Sequence, residues 1–490
     1  MDLIRVHEMD NVAVALRPLV AGEELSLPWD GRLAAREAVP PSHKIALADL
    51  AQGQTVYRYG QPIGVALRDV PRGHWVHTHN LGALEGVGAG ALPAGARDAE
   101  RRRGPATFPG YPRPKGFAGV RNYLLVLPTV SCANGVVRAI GRAFPQAVAI
   151  EHGYGCGRAG EDHQRTLRVL QGCGTHPNVA AVVLVGLGCE GVRGEDLAQR
   201  IGESGRPVEY LGIQSVGGTR KCTERGVHAA RALWEKVSAQ RREPRPLSEL
   251  MLGLECGGSD ALSGLTANPA VGYVSDLVVA AGGTAILSET TEMIGTTHLL
   301  QARAASPAVS EAIGAMIGKN EDLARRVLGD KAHLIIAPGN MDGGLTTIAE
   351  KSLGCIAKGG CSTIQEVVGY AQVPSRRGLI LMDTPGYDVE SLGGMLAAGC
   401  QAMLFTTGRG SPVGNPLAPV VKVASNSELW RRMPDDMDVN AGQIADGRKS
   451  LDELGEELWA YLGEVLAGRL TKAEENDQGV MGFSMTMEAF

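Results

Sequence analysis

Hydrophobic and polar positions follow two different patterns along the chain. From about residue 118 onward, short apolar runs alternate with amphipathic stretches of helical period. This alternation is typical of a parallel α/β architecture. Residues 1–81 instead contain brief apolar runs at 11–16, 44–47, 55–59, 63–67 and 75–79, with glycines between them. That pattern predicts a small β-rich domain.

Two segments are predicted to join the structured regions. Residues 82–115 are rich in Gly, Ala, Pro and Arg and lack periodicity, which is typical of an extended linker. The sequence RREPRP at 241–246 indicates a further boundary. We therefore expect a β domain (1–81), a linker (82–115) and a large α/β region with mostly parallel sheets. The large region is expected to divide into domains 116–245 and 246–490.

Eight apolar runs of the large region end in polar, glycine-bearing clusters. These clusters begin at residues 131, 151, 186, 255, 288, 338, 383 and 406. Each cluster alone resembles an ordinary strand-to-helix loop. Ligands of open α/β sheets, however, bind beyond the carboxyl ends of the strands. We therefore expect the clusters to converge on one or two crevices.

The residue types in these clusters suit elimination from a hydroxy acid. Removing a proton next to a carboxylate creates a second negative charge, which a divalent cation stabilises while a nearby acid helps hydroxide to leave. Arg and Lys suit a substrate carboxylate, and hydroxyls suit sugar hydroxyls. The candidate acids and bases are His152, Glu190, Glu289, Glu350 and Lys351.

Cysteines and histidines give two possible metal sites, each with a structural alternative. Four cysteines follow predicted strands: Cys132, Cys156, Cys189 and Cys256. They are either thiolate ligands of iron or small residues that fill tight space. His77 and His79 end the β domain and would face the same side of a strand. The alternative is that they are surface histidines.

A glycine motif offers a competing interpretation. Residues 186–191, GLGCEG, match the GxGxxG pattern of dinucleotide-binding loops, and Glu209 follows about twenty residues later. Glu190 would bring a negative charge toward the pyrophosphate, which disfavours this interpretation. An NAD-linked oxidoreductase is therefore kept as an alternative that the motif favours less than a hydro-lyase.

Composition limits the partners and the compartment. The formal net charge is −5, and no basic surface for nucleic acid or anionic membrane is indicated. The N-terminus lacks a signal-peptide core, and no apolar stretch reaches the length of a membrane span. Nine cysteines without a CxxC pair favour free thiols in a reducing compartment. We therefore expect a cytoplasmic protein.

Longer motifs identify a family resemblance. The segments that carry it are RNYLLVLPTVSCAN, HGYGCG, HPNVAAVVLVGLGCEG, ECGGSDALSGLTANPA, GGTAILSETTEMIG, PGNMDGGLTTIAEKSLG, MDTPGYD and FTTGRGSPVG. In these segments the sequence resembles the altronate dehydratase and galactarate dehydratase family of sugar-acid hydro-lyases. Residues 1–81, ending in WVHTHN, resemble the SAF domain, a β-clip module that such enzymes carry. The resemblance covers almost the whole chain.

The resemblance implies dehydration of an aldonic or aldaric acid to a 2-keto-3-deoxy acid. It implies Fe2+ as the cofactor, with Mn2+, another divalent ion or an iron–sulfur cluster as alternatives. The implied metal ligands are His77, His79, Cys132, Cys156, Cys189 and Cys256. The implied substrate contacts are Asn134, Ser259, Asp260, Asn268, Thr407 and Arg409. Catalytic roles are expected for His152, Glu190, Glu289 and Lys351. The expected partners are a small sugar acid and a second copy of the chain in a homodimer.

Three other functions stay open. A relative of this family, sulfolactate sulfo-lyase, divides the same two zones between separate subunits and expels sulfite; sulfite release would distinguish it. An NAD-linked oxidoreductase would show the absorbance of its cofactor. A non-catalytic sugar-acid binding protein would bind its ligand without turnover.

Overall fold

The computed structural model describes residues 2–27, 29, 31–83, 106–329 and 336–486. Most of the predicted linker, residues 84–105, lies outside the described residues. The same holds for most of the predicted apolar run at 333–337. Within the described part of the chain, no helix is long and apolar enough to cross a membrane.

Nine short strands form the N-terminal domain within residues 2–27, 29 and 31–83. They are β1 (Leu3–Ile4), β2 (Val12–Ala15), β3 (Glu24–Ser26), β4 (Arg32–Ala34), β5 (Lys44–Ala46), β6 (Thr55–Arg58), β7 (Gln61–Ala66), β8 (Trp75–Val76) and β9 (Leu81–Gly82). They form sheets of order β1-β2-β5-β8, β6-β7-β9 and β3-β4. The paired strands are antiparallel, and Leu25, Leu33 and Ile45 pack in the core between them. The prediction of a small β domain is confirmed.

The second domain is a parallel α/β unit. Its elements are β10 (Thr107–Gly110), β11 (Tyr123–Pro128), α1 (Asn134–Ala143), β12 (Ala147–Ala149), α2 (Gly160–Thr175), β13 (Val179–Gly186), α3 (Gly194–Gly202), β14 (Val208–Gly212), α4 (Ile213–Val216), α5 (Thr219–Val237) and β15 (Glu243–Pro246). The central sheet has the order β12-β11-β13-β14, with all neighbours parallel. Strand β13 is buried along its whole length, as expected for a sheet covered on both faces.

The third domain holds a larger parallel sheet. Its elements are β16 (Met251–Cys256), α6 (Ala267–Ala280), β17 (Thr284–Leu287), α7 (Thr297–Gln301), α8 (Pro307–Leu328), α9 (Pro338–Asp342), α10 (Ile348–Cys355), β18 (Ile364–Val368), β19 (Gly378–Met382), α11 (Asp388–Ala398), β20 (Ala402–Thr407), β21 (Val420–Ala424), α12 (Ser427–Arg432), β22 (Val439–Asn440), α13 (Leu451–Leu466) and α14 (Lys472–Glu475). The sheet order is β18-β19-β17-β16-β20-β21-β22, and every pairing is parallel. The parallel α/β prediction is confirmed.

The two predicted domain joints pair with each other. Strand β10 lies inside the segment predicted as linker, and β15 lies at the predicted boundary. They form an antiparallel two-stranded ribbon in which Thr107 faces Pro246 and Gly110 faces Glu243. Residues 107–110 of the predicted linker thus form a strand. The local composition does not reveal this pairing because each strand gains its partner from far along the chain.

Helices α2 and α11 pack the second domain against the third. A Cβ on Gly172 of α2 would lie 2.2 Å from the Ala397 carbonyl oxygen of α11, so only glycine permits this approach. Near the N-terminus of α2, the Asp162 carboxylate accepts hydrogen bonds from the amide and hydroxyl of Thr486. Two residues earlier in the tail, the Ser484 amide donates to Tyr370, whose hydroxyl donates to Glu390 near the N-terminus of α11. The helices thus run in the same direction, and the carboxyl edges of both sheets open on the same side.

The N-terminal domain docks on the third domain through a buried ion cluster. The Glu350 carboxylate on α10 lies 2.9 Å from Lys44 Nζ and 2.6 Å from an Arg58 nitrogen. Lys44 Nζ also donates to the Gly344 carbonyl, and Arg58 donates to the Ala261 carbonyl. All three charged side chains are almost completely buried. The N-terminal domain therefore anchors helix α10.

Candidate active site

A buried group of acids, thiols and lysines lies at the carboxyl edge of the seven-stranded sheet. Cys256 ends β16, Cys355 ends α10, and Glu292 lies in the 3₁₀ turn that follows β17. The two sulfurs are 3.4 Å apart, and one Glu292 oxygen lies 2.8 Å from each sulfur. We call this group, with Glu289, Lys351 and Lys358, the thiol–lysine cluster.

Two ammonium groups complete the cluster. Lys351 Nζ lies 2.5 Å from a Glu292 oxygen. Lys358 Nζ lies 2.6 Å from a Glu289 oxygen and 2.7 Å from Cys256 Sγ. Burial alone would lower the lysine pKa values, but the neighbouring carboxylates and thiols raise the pKa of Lys351 and of Lys358. Both lysines are therefore charged at neutral pH.

Glu289 adopts a backbone conformation that is rare for a residue with a side chain. Its φ is 69°, in the left-handed region, and its amide donates to Thr384 Oγ1. Such backbone strain tends to occur at functional sites. One Glu289 oxygen accepts a hydrogen bond from the Cys256 amide, and the carboxyl group also shares a hydrogen bond with the carboxyl group of Glu255.

The three carboxyl groups near this edge differ in ionisation. Burial and the adjacent Glu292 raise the pKa of Glu289 to about 7. Burial and Glu289 raise the pKa of Glu255 well above its ordinary value. Glu292 is buried too, but Lys351 and Lys358 lower its pKa to about 2. Glu292 is consequently ionised at pH 7 and Glu289 titrates near neutrality, while the environment of Glu255 favours its neutral form.

A small cavity adjoins the cluster at Lys351. Its volume is about 10 Å³, roughly the room needed for one water. It is lined by Tyr59 of the N-terminal domain and by Ser259, Asn268, Lys351 and Cys355, among others. Ser259 Oγ is buried without a hydrogen-bond partner in the described chain. The cavity therefore offers an ammonium and a free hydroxyl to a small polar group.

A much larger cleft lies on the other side of Asp260. Its volume is about 410 Å³, and both the N-terminal and third domains line it. We call it the arginine cleft, because its wall includes Arg409, Arg431 and Arg432 beside Asn426, Asp342 and Ser42. Guanidinium groups suit a carboxylate ligand.

Most predicted substrate contacts of the third domain lie between the two cavities and support the loops there. The Asp260 carboxylate accepts hydrogen bonds from Ser263, Ser425 and Asn426. Asn268 donates to the Gly354 carbonyl and accepts from Thr406. Thr407 Oγ1 accepts from the Gly410 amide. Ser259 and Arg409 are the two predicted contacts whose side chains face the cavities with polar groups to spare.

The structure places another set of predicted residues on the second domain. Asn134 donates to the His152 carbonyl, and His152 Nε2 lies 2.9 Å from the Pro128 carbonyl oxygen. The Glu190 carboxylate accepts from Thr129 Oγ1 and from the amides of Leu187 and Gly188. His152, Glu190 and Asn134 thus brace the loops of this edge and lie apart from the thiol–lysine cluster.

Glu190 also bears on the glycine motif. Its carboxylate occupies the amides of Leu187 and Gly188, which a bound phosphate would need. Helix α3 begins only at Gly194, after the motif. The geometry of this loop disfavours a dinucleotide site.

Three exposed cysteines share the carboxyl edge of the second domain. Cys132, Cys156 and Cys189 follow the adjacent strands β11, β12 and β13. Backbone hydrogen bonds from Ser131 to Tyr154 and from Gly191 to Gly155 tie the three loops together. The three sulfurs are not all within 4.8 Å of one another. Cys256, the fourth predicted metal ligand, lies in the thiol–lysine cluster of the third domain instead.

His77 and His79 do not lie on a strand. Strand β8 ends at Val76, and a turn follows in which the Asn80 side chain accepts from the His77 amide. Trp75 stacks on His77 with ring centres 5.4 Å apart and also packs against His79 at 5.0 Å. Burial lowers the pKa of His77 to about 3. The prediction that the two rings share one strand face was wrong because the strand is shorter than its apolar pattern.

Cys256, Glu292 and Cys355 form the one compact group of possible metal ligands among the described residues. Thiols and a carboxylate are suitable donors. Nevertheless, Lys351 and Lys358 already contact Glu292 and Cys256, so a dication there would face two ammonium groups. Burial also raises the pKa of both thiols. This group does not fit a divalent metal.

Sequence reasoning missed four residues of this region: Glu255, Glu292, Cys355 and Lys358. Glu255 and Glu292 stand in the quoted polar clusters beside residues that were chosen. Cys355 and Lys358 lie at and after the end of α10, away from any strand end. A Lys-x₆-Lys spacing on one short helical segment was the available signal, and it is weak.

The fold and this edge define a class: an α/β enzyme with a docked β-clip domain and a buried acid–base cluster. Three family models match in order. Residues 1–84 match the altronate/galactarate dehydratase SAF domain, residues 110–238 match the D-galactarate dehydratase/altronate hydrolase second domain, and residues 247–487 match the D-galactarate/altronate dehydratase C-terminal domain. The chain belongs to the D-galactarate/altronate dehydratase family.

Relatives of known activity align over nearly the whole chain. Altronate dehydratase of Escherichia coli (strain K12) is 38% identical over 498 residues, covering 97% of each chain. Galactarate dehydratase (L-threo-forming) of the same organism is 36% identical, covering 95% of this chain and 93% of the relative. The (2R)-sulfolactate sulfo-lyase subunit beta of Chromohalobacter salexigens is 35% identical, covering 75% of this chain and 94% of the relative.

Proposed function

We propose that the chain dehydrates a sugar acid, an altronate-like aldonate or a galactarate-like aldarate, to a 2-keto-3-deoxy acid. The observation that carries the proposal is the thiol–lysine cluster at the carboxyl edge of the third domain. It holds a charged lysine and a carboxyl group that titrates near neutrality. Full-length similarity to altronate and galactarate dehydratases supports the same reaction.

Lys351 is the proposed acid. Its ammonium borders the small cavity, and Glu292 keeps it charged and oriented. A proton transferred from Lys351 Nζ to the departing 3-hydroxyl lets water leave instead of hydroxide. Ser259 Oγ, which has no partner in the described structure, is placed to bind a substrate hydroxyl or carboxylate.

Glu289 is the proposed base for the proton on carbon 2. A pKa of about 7 leaves a substantial ionised fraction at neutral pH, as efficient proton abstraction requires. Because Glu289 is fully buried, this role requires that substrate binding opens the wall between the cavity and the cluster. Lys358, 2.6 Å from Glu289, stabilises its ionised form.

Iron is proposed to bind at Cys132, Cys156 and Cys189. These are exposed thiols on three adjoining loops, unlike the buried group in the third domain. When bound there, the metal would act as a Lewis acid on substrate oxygen.

An anaerobic activity screen tests the proposed function. The iron-loaded enzyme is given aldonates, aldarates and sulfolactate, and both 2-keto acid and sulfite are measured. We expect a 2-keto-3-deoxy product without sulfite. Sulfite release would instead assign the sulfo-lyase reaction, which the similarity to the beta subunit makes the second candidate. No product from any of these acids would contradict the proposal.

Metal analysis tests the cysteine site independently of activity. We expect Cys132→Ser, Cys156→Ser and Cys189→Ser each to lower bound iron, whereas Cys361→Ser, an exposed cysteine of the third domain, leaves it unchanged. Acid-labile sulfide distinguishes a cluster from a single ion. Full iron retention in the triple variant would refute this site.

A further inference from the structure

The arginines of the arginine cleft differ in whether they form ion pairs with carboxylates of the protein. Arg17, at its edge, is paired with Asp2 at 2.7 Å and with Glu23 at 2.5 Å. Arg431 and Arg432 instead donate only to backbone carbonyls, those of Ser427 and Arg409, and form no ion pair within the described residues. The cleft therefore presents guanidinium groups without ion-pair partners to an anionic or hydroxyl-rich ligand, beside the carboxylates of Glu428 and Asp446 that also line it.

Asp342 opposes that charge at one point of the wall. It is the last residue of α9, and its carboxylate lies 3.9 Å from an Arg409 nitrogen. Both side chains are substantially exposed to the cleft, 69% for Asp342 and 46% for Arg409. This distance is too long for a tight ion pair, so both groups remain available to a ligand. A hydroxyl can donate to Asp342, whereas a carboxylate beside it is repelled.

The position of Asp342 is fixed by the N-terminal domain. His43 Nε2 lies 3.2 Å from the Asp342 carbonyl oxygen, and burial lowers the pKa of His43, so the ring is a neutral hydrogen-bond donor. A Cβ on the neighbouring Gly344 would meet the Ser42 carbonyl oxygen at 2.1 Å. The backbone at 342–344 is thus held closely against residues 42 and 43, and the Asp342 carboxylate projects into the cleft.

We propose that the arginine cleft receives the substrate end remote from the reacting carbons, and that Asp342 sets its charge preference. An aldonate presents a hydroxymethyl group at that end, and an aldarate presents a second carboxylate. Asp342 accepts a hydrogen bond from the hydroxymethyl group and repels the carboxylate. The structure thereby assigns Asp342 as a specificity-determining residue that favours aldonates over aldarates. This inference rests on the proposed function.

The test compares a six-carbon aldonate with a six-carbon aldarate in the full-length protein. Dissociation constants are measured by calorimetry on chelated enzyme, and kcat/KM is measured on iron-loaded enzyme. Two unit charges about 4 Å apart in water interact by roughly 1 kcal/mol, which is about fivefold in affinity. We therefore expect Asp342→Asn to shift the preference about fivefold toward the aldarate by both measures. Asp322→Asn, an exposed aspartate on α8 outside the cleft, should leave the ratio unchanged.

The outcomes separate this inference from the proposed function. If both acids bind and turn over but the ratio is unchanged in Asp342→Asn, the specificity role is refuted while dehydration stands. If Asp342→Asn weakens both acids equally, Asp342 supports the cleft without discriminating charge, and the inference fails. If neither acid binds or reacts with any form of the enzyme, both proposals are overturned.

Discussion

Lys351 is the lysine of the thiol–lysine cluster whose side chain lines the small cavity. Replacing it with methionine keeps the aliphatic length but removes the proton donor. We expect Lys351→Met to lower kcat by about 10²–10⁴-fold, the usual contribution of a positioned acid. Lys351→Arg, which keeps the charge but cannot release its proton, should be nearly as impaired. Steady-state kinetics measure both.

The matched control for Lys351 is Lys236→Met, a change of an exposed lysine on α5. It should leave kcat unchanged. A Lys351→Met enzyme with normal kcat would show that the acid lies elsewhere.

The proposed role of Glu289 predicts how kcat depends on pH. Burial and Glu292 raise its pKa to about 7, so the carboxyl is protonated below that pH and ionised above it. If Glu289 is the base, kcat should rise with pH through about 7 and then level off. Glu289→Gln should lose activity and the pH-dependent rise with it. A wild-type profile flat from pH 6 to 8 would argue against this assignment.

At the residue scale, the sequence identifies which side chains are chemically suited to a function better than it identifies the atoms that those side chains contact. Glu289, Lys351 and Cys256 were predicted as functional, and they do meet in one cluster. The sequence could not show that the polar atoms of His152 and Glu190 would form hydrogen bonds with neighbouring backbone groups. A strand-end position predicts that a side chain faces a crevice but leaves its hydrogen-bond partner undetermined.

At the element scale, the contact between α2 and α11 sets the arrangement of the two sheet edges. Gly172→Ala should destabilise the protein, although alanine is the better helix former by about 1 kcal/mol. The reason is the carbonyl oxygen of Ala397, 2.2 Å from the new Cβ. Overpacking of this kind typically costs about 1–3 kcal/mol. Denaturant unfolding measures the change.

Gly318→Ala is the control for this contact. Gly318 lies within α8, and a Cβ there would have no neighbour within 4 Å. It should therefore stabilise the protein by about 0.5–1 kcal/mol. If both variants gained stability, the close approach of α2 and α11 would be disproved.

Elements with a strong period were predictable, and elements that depend on distant partners were not. Strands β11, β13, β16 and β20 end at the predicted polar clusters. Strand β8 stops earlier than its pattern because Asn80 diverts the backbone into a turn. Strands β10 and β15 both carry proline, and β15 also carries charge, and their pairing with each other has no local signature.

At the scale of the whole molecule, Glu350 joins the N-terminal domain to the helix that carries Lys351. Glu350→Gln would leave Lys44 and Arg58 buried without their counter-ion. We expect a loss of about 3–5 kcal/mol in the free energy of unfolding at pH 7. Glu24→Gln, which removes an exposed ion pair with Arg32, should change it by less than about 1 kcal/mol.

The dependence of the free energy of unfolding on pH, at acidic pH, gives a second measurement on Glu350. Burial opposes its ionisation, but Lys44 and Arg58 lower its pKa to about 2. A lowered carboxyl pKa stabilises the folded state above the unfolded pKa, and that contribution is lost as pH falls from about 4.5 toward 2. Wild type should therefore lose more stability over this range than Glu350→Gln. Equal slopes would contradict the assignment.

The β domain and the mostly parallel α/β sheets were predictable at this scale, whereas the docking of the domains was not. The alternation of runs indicates two parallel sheets and a β domain. It contains nothing about Lys44 and Arg58 reaching Glu350 about 300 residues away. Both cavities of the candidate site lie against the N-terminal domain, so the way the domains enclose the predicted residues was beyond sequence reasoning.

The ribbon of β10 and β15 has an evolutionary consequence. It holds the entry and the exit of the second domain side by side, with Thr107 opposite Pro246. A unit with adjacent ends can be gained, lost or exchanged as a cassette without breaking the path of the surrounding chain. The second domain, with its three exposed cysteines, has its two ends placed in this way.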